Sequence, residues 1–266
     1  MQKLEEWKHL LENRLRDLLQ PFEPMVLYQA MSYYVFQEGK RIRPLFLCAV
    51  ADALGGNTQD AITVGCALEF VHNYSLIHDD LPAIDNDSTR RGKPSCHVIF
   101  GEDIAILAGD ALLNLAFEVL SNKENFVSMD EKDLLQVIRI LSESSGHKGM
   151  VAGQVMDIKK LGDVWSISLK KTACLFSSAF ACAGVISKRD EMLSSLTSAG
   201  VKVGVLFQMV DDYKDKDGFY SIYKDGITQI IEEKYHECLR TLEGMGLLTQ
   251  EMEFLLRLVL SPVKTH

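Results

Sequence analysis

Proline is scarce in this chain of 266 residues, and it is unevenly placed. The six prolines stand at Pro21, Pro24, Pro44, Pro82, Pro94 and Pro262, so none lies between Pro94 and Pro262. Proline breaks helix interiors, and a long proline-free stretch with helical periodicity predicts long helices. The six cysteines, Cys48, Cys66, Cys96, Cys174, Cys182 and Cys238, form no C-x-x-C pair, and no histidine set has zinc-finger spacing. That argues against a zinc module and predicts reduced, mostly buried thiols in a reducing, cytoplasmic setting. Positive charge is also short. A formal charge of -9 disfavours nucleic acid and anionic membranes as general partners, so any basic site must be local. No unbroken apolar run of about 18 residues occurs, and none is expected to span a membrane. The opening "MQKLEEWKHLLENRLRDLL" has acidic residues and no signal-peptide core. Alternating strand patterns, G-x-G-x-x-G loops and P-loops are missing, which removes the usual nucleotide-binding sheet folds.

Apolar residues make up 47% of the chain, enough for a sizeable core. Leu4, Trp7, Leu11, Leu15 and Leu18 share one helical face. "SMDEKDLLQVIRIL" opens with Ser128 and Glu131 in a capping-box pattern. "AGDALLNLAFEVL" and "LTSAGVKVGVLFQMVDD" are apolar nearly all round, as buried helices are. The expectation is one all-α domain over residues 1–266, of about ten helices, with central helices wrapped by outer ones.

Acidic residues are concentrated in two segments. In "FQMVDDYKD", Asp211 and Asp215 are four apart and Gln208 is three before Asp211, so all three share a helix face. Two carboxylates and an amide on so apolar a helix are costly without a partner. A hard cation with oxygen ligands would supply one, and Mg²⁺ fits better than zinc; a solvated helix end is the plainer alternative. In "SLIHDDLPAIDNDSTRRGKP", Asp79 and Asp85 are six apart and do not stack on a straight helix. Pro82 disfavours helical geometry at Leu81, so the helix should end just after Asp80 and let Asp85 swing back beside Asp79. Leu68, His72, Ser75 and Asp79 fall on one stripe, which points His72 toward the carboxylate end unless it is a satisfied core histidine. Lys40, Arg41 and Arg43 form one basic group, and Arg90, Arg91 and Lys93 another. Either group alone is ordinarily a solvated face, but with two aspartate clusters they have the parts for a metal-bridged polyphosphate.

The ordered series "GKRIRP", "VHNYSLIHDDLPAIDNDSTRRGKPSCH", "LAGDALLNLAFE", "GMVAGQVMDI", "KKTACLF" and "FQMVDDYKD" resembles the trans-isoprenyl diphosphate synthases, over residues 37–217. The resemblance implies an isoprenoid-synthase-type helical bundle around a deep central cavity, usually a homodimer. It implies three Mg²⁺ ions on Asp79 and Asp85, with Asp80 close by, and on Asp211, with Asp212 and Asp215 in the water shell. Arg90, Lys171 and Lys216 would hold an allylic diphosphate. Lys40, Arg43, His72 and Arg91 would hold isopentenyl diphosphate, and Thr172 and Gln208 would stand near the reacting carbons. The implied reaction joins isopentenyl diphosphate to dimethylallyl or geranyl diphosphate. Tyr74, about 7.5 Å down the helix from Asp79, and Ser75 lie where the family sets product length. An aromatic there resembles the farnesyl type, whereas a geranylgeranyl type usually has a smaller residue or Met. The chain departs from the pattern after Asp215, where about twenty residues common in the family are missing and "KDGFYSIY" follows at once. That departure brings in a non-catalytic, partner-binding subunit as an alternative. A class I terpene cyclase is a third reading, against which the two basic groups argue.

Overall fold

The structure, a computed structural model, describes residues 2–263. Fourteen α-helices are described: α1 (Gln2–Leu18), α2 (Met25–Val35), α3 (Ile42–Ala53), α4 (Thr58–Asp79), α5 (Cys96–Phe100), α6 (Glu102–Ser121), α7 (Glu131–Ser145), α8 (Met150–Ile158), α9 (Val164–Ser168), α10 (Cys174–Ile186), α11 (Leu193–Asp215), α12 (Gly218–Tyr223), α13 (Ile227–Gly244) and α14 (Gln250–Leu260). The count exceeds the expected ten because several are single turns. The only strands described, β1 (Thr89–Arg90) and β2 (Lys93–Pro94), pair antiparallel across a two-residue turn.

Helices α4 and α10 are buried over almost their whole length, which is why neither shows an amphipathic stripe. They pack on α3, and α6 and α11 flank them. Helix α1 is amphipathic and lays Leu4, Trp7, Leu11 and Leu15 on this core, as the heptad-like spacing predicts. Leu18, the fifth residue of that stripe, is only partly covered, and Leu19 is buried instead. Helix α11 meets the α10 backbone closely at Gly200, where a Cβ would lie 2.7 Å from the Cα of Ser177, and meets the turn before α10 at Gly204. A Cβ there would lie 2.5 Å from the Cα of Ala173. This contact sets how near the end of α11 comes to the residues just before α10.

The expected cap of α7 is corrected by the structure. The N-cap of α7 is Asp130, in a reciprocal capping box with Asp133. Ser128 is drawn away by the fully buried Asp60, which accepts from the amides of Val127 (2.7 Å) and Ser128 (2.9 Å) and from the Ser128 hydroxyl. Local spacing proposed one cap, and a tertiary acceptor competed for it. Hydropathy averaged along the helices reads differently from a search for unbroken apolar runs. Averaged over a window, Glu102–Ser121, Val164–Ile186 and Asp190–Asp215 are long and apolar enough to cross a membrane, although none is an unbroken apolar run. In this fold all three lie within the bundle, and the middle one is mostly buried there. All six cysteines are free, and five of them are buried.

Asp60→Ala leaves two loop amides without an acceptor. It should lower stability by about 2–4 kcal/mol, read as a fall in the midpoint of denaturant unfolding with an unchanged m-value.

Candidate active site

Helix α4 ends where Pro82 requires. Asp80 is its C-cap, and the chain then turns so that the Asp85 amide donates to the Asp79 carbonyl at 2.9 Å. Asn86, at φ 55°, closes the turn by donating to the Leu81 carbonyl at 3.0 Å. The backbone thus brings Asp85 back to Asp79, as the spacing predicted. Burial is the largest influence on Asp79, and with the charges of Asp85 and Asp80 it outweighs the pull of Lys171 and Arg90. The carboxyl is pushed up to about 7. Asp85 is raised for the same first reason.

Lys171 lies on a π-helical turn, Leu169–Ala173, that leads into α10. Its ammonium donates to Asp157 of α8 at 2.7 Å. Burial pulls the Lys171 ammonium down, but Asp157, Asp79 and Asp85 together outweigh it and the net is upward. Asp157 was not singled out by the sequence reading. The signal was there, a carboxylate three residues after Gln154 on an otherwise apolar helix. The two segments touch at Gly153, where a Cβ would fall into the backbone of Lys170 and Lys171.

The second cluster closes the other side. The Thr172 hydroxyl donates to the Gln208 carbonyl oxygen, and the Gln208 amide donates to Asp212 at 2.6 Å. Asp212 is buried and also accepts from the Phe219 amide at 2.7 Å. Its oxygens are therefore spent on α11 and α12, away from any open face. Asp211 is raised by loss of water and by the charge of Asp215, partly offset by Lys214, Arg43 and Arg90. The charge of Arg90 pulls Asp79, Asp85 and Asp211 downward alike, in each case by less than loss of water pushes them up. Asp215 is exposed and pairs with Lys214 at 3.3 Å.

Beside the carboxylates is a cavity of about 160 Å³, lined by Lys40, Arg41, Ile42, Arg43, Glu69, His72, Arg91 and Phe207. Its one carboxylate, Glu69, is already taken by Arg41 at 2.7 Å. Arg41 also binds Glu12 and the carbonyls of Val35 and Gln37, which makes it a brace rather than a ligand-facing cation. Arg43 has no carboxylate partner among the described residues. Its guanidinium lies 4.7 Å from the Phe176 ring and 5.3 Å from the Phe207 ring, and its buried Nε is unbonded. His72 receives the Arg43 Nη1 at 3.4 Å. Burial and the charges of Arg43 and Arg91 hold His72 well below its usual range, so it is neutral and accepts. The result is a small concave surface with excess positive charge on a chain that is acidic overall, and it fits a compact anion.

Other predicted residues are placed differently. Asp80 is fully buried and bonds Tyr34 and Arg90, turning away from Asp79. Lys216 caps α11 at φ 61° and rests on Tyr213 and Tyr220, 4.1 and 4.2 Å from the ring centroids, with no site residue as its partner. Only Asp217 separates it from the start of α12, so the loop absent from the sequence is replaced by a tight link. Tyr74 is buried, and loss of water, then the charge of Asp79, push its hydroxyl up to about 12. Ser75 donates to the His72 carbonyl at 2.9 Å. Among the described residues no three His, Cys, Asp or Glu side chains stand close enough to hold a metal ion by themselves.

Comparison with known proteins agrees with this geometry. The polyprenyl synthetase family model matches residues 24–235. A farnesyl diphosphate synthase from Micrococcus luteus is 42% identical over 201 residues, 73% of this chain and 68% of that protein. A chloroplastic geranylgeranyl pyrophosphate synthase from Capsicum annuum is 41% identical over 202 residues, 73% of this chain but only 54% of that protein. The matched stretch thus spans about half to two thirds of these relatives. Among solved structures, a geranyltranstransferase from Thermotoga maritima superposes with TM-score 0.84 at 34% identity, over 97% of this chain and 98% of that one. An FPP/GFPP synthase from Zymomonas mobilis does so with TM-score 0.88 at 29% identity, over 97% and 96%. The superposition therefore takes in most of the C-terminal helices, which carry none of the motifs. With both aspartate clusters, the arginine hairpin and the basic cavity in one all-α bundle, the chain belongs to the polyprenyl synthetase family of trans-prenyltransferases.

Proposed function

We propose that the chain condenses isopentenyl diphosphate with dimethylallyl or geranyl diphosphate and releases farnesyl diphosphate. The observation that carries this reading is the pairing of a carboxylate-lined cleft with a separate basic cavity that has no free carboxylate of its own. Two anion-accepting places side by side suit two diphosphates. A cyclase, which takes one, has no use for the second.

Asp79, half-buried, and Asp85 and Asp211, whose side chains reach the surface, offer oxygen donors that no cation of the protein pairs directly. They are too few and too spread to enclose an ion, which suits Mg²⁺, since it takes one or two carboxylates and completes its shell with water and substrate phosphate. Bound there, Mg²⁺ would neutralise the departing diphosphate; the family resemblance puts the number of ions at three. In this reading Lys171, steadied by Asp157, and Arg90 bind the allylic diphosphate and stabilise the negative charge that grows as its C–O bond breaks. Lys40, Arg43, Arg91 and neutral His72 hold isopentenyl diphosphate, its alkene toward the allylic carbon. Thr172 and Gln208, locked to each other, line the reacting carbons and keep water out. After the new C–C bond forms, the proton lost from the condensed product goes to the released diphosphate. Asp80 and Asp212 are left out of the metal set because protein donors already occupy them, and Lys216 is left out because it rests on two tyrosines. Tyr74 forms the floor under the growing tail and stops it at fifteen carbons. A homodimer, and a reducing cytoplasmic setting for its six free thiols, complete the reading.

Incubation with Mg²⁺, labelled isopentenyl diphosphate and each allylic diphosphate should give a fifteen-carbon product. Tyr74→Ala should lengthen it to twenty carbons or more, and a twenty-carbon product from the unaltered chain would discard the Tyr74 floor. No product from the purified chain would favour a partner-binding subunit, a reading that the tight link after Asp215 supports. Asp79→Ala or Asp211→Ala should lower turnover by at least about a thousandfold without loss of helical signal, given the size of such electrostatic terms.

The elevated carboxyl of Asp79 also predicts a trade between stability and activity. Above about pH 7 the unliganded chain holds this carboxylate charged against its surroundings. Asp79→Asn should therefore raise Tm at pH 8 while abolishing turnover. Its gain should shrink as pH falls from about 7 toward the ordinary carboxylate range, where Asp79 itself takes up a proton. A Tm gain that did not depend on pH would contradict this account.

A further inference from the structure

We infer that Tyr34 is a positioning residue for the allylic diphosphate site, acting through Asp80 to set the guanidinium of Arg90. This rests on the diphosphate reading above and adds a residue to it.

Tyr34 lies in the last turn of α2, far in sequence from both aspartate clusters, and is 1% exposed. Its hydroxyl donates to Asp80 and accepts from the Cys96 amide at 3.2 Å. Having one proton, the hydroxyl has its direction fixed by that amide: the proton goes to Asp80. Asp80 is 0% exposed, so its charge depends wholly on protein donors. Arg90 supplies the others, with Nε at 3.0 and 3.3 Å from the two oxygens and Nη2 on the first. Nη2 reaches Asp87 as well, at 3.1 Å. The Nη1 edge makes no such bond among the described residues, and it belongs to the guanidinium whose charge is felt by Asp79, Asp85 and Asp211.

The hairpin that carries Arg90 is held from the same helix. Its turn is Arg91–Gly92, with φ 54° and 75°, the left-handed pair that two-residue hairpins favour. Tyr33, next to Tyr34, donates its hydroxyl to the Pro94 carbonyl at 2.8 Å, across the hairpin from Thr89. Two adjacent tyrosines thus fix both the strand pair and the carboxylate that aims its arginine. Without the Tyr34 hydroxyl, Asp80 would be one donor short and would turn to take more of Arg90, drawing the guanidinium from the cleft.

The test is calorimetric titration of inorganic pyrophosphate into the full chain in Mg²⁺ buffer. Tyr34→Phe keeps the buried ring and should weaken binding about tenfold, the scale of one hydrogen bond to a charged group. In an Arg90→Ala background the same change should cost less than about twofold, because the pair acts as a unit. In steady state, KM for the allylic diphosphate should rise while KM for isopentenyl diphosphate stays. Asp80→Asn should give the same pattern and carries the test if Tyr34→Phe folds poorly. An equal loss in both backgrounds, or no loss, would overturn the positioning role alone. An unaltered chain that binds no pyrophosphate would overturn the diphosphate reading, and this inference with it.

Discussion

Carboxylates gathered at one cleft without a close cation set the terms for everything around them. Asp79 ends a helix that is buried along most of its length, and Asp211 lies one turn before the end of α11, with its side chain at the surface. Neither is neutralised by a close cation among the described residues, and each is raised by loss of water before any other cause. The protein does not lack cations nearby. Lys171 pairs with Asp157, and Arg90 with Asp80 and Asp87, through only part of their N–H groups, whereas Arg41 is spent on Glu69 and Glu12. Charge is thus left over on both sides of the cleft, negative at the helix ends and positive around Arg43 and His72. Leaving such groups unpaired is unfavourable for folding and favourable for binding a ligand that brings both signs together.

The surroundings of that leftover charge are rigid. The turn after Asp80, the π-helical turn before α10 and the arginine hairpin are all irregular backbone, yet each is tied by specific bonds. Asp85 is tied to Asp79, Lys171 to Asp157, and Tyr33 and Tyr34 to the hairpin and its neighbours. Close backbone approach at Gly153 and Gly204 brings α8 and α11 against the segment that carries Lys171 and Thr172. Preorganised donors of this kind need little rearrangement when a charge develops, which is the main route to electrostatic catalysis.

Much of this was legible in the sequence, and the exceptions share a cause. The all-α fold followed from proline placement and helical periodicity, and the return of Asp85 to Asp79 followed from Pro82. The basic group around Arg43 was visible as a group. Its division was not, since Arg41 and Arg43 are two residues apart and one braces Glu69 while the other meets two phenylalanine rings. Asp79 and Asp80 are adjacent, yet Asp80 is spent on Tyr34 and Arg90 while Asp79 has no ion-pair partner among the described residues. Ser128 had the spacing of a cap, but Asp60 engages it and Asp130 caps the helix instead. Lys216 had the position of a ligand and settled on two tyrosines. In each case a partner distant in the chain decided the outcome.

What the sequence by itself determined is periodic or local. Helices arise where apolar residues recur at helical spacing, breaks occur where proline or left-handed residues force them, and charged residues cluster where the chain repeats them. These follow from backbone sterics and from the cost of burying polar groups, and both act within a few residues. What only the tertiary structure decided is which member of each charged cluster is spent on the protein and which is left for a ligand. That choice depends on donors and acceptors contributed by α1, α2, α4, α8 and α12, far away in the chain, and on the water that their packing removes.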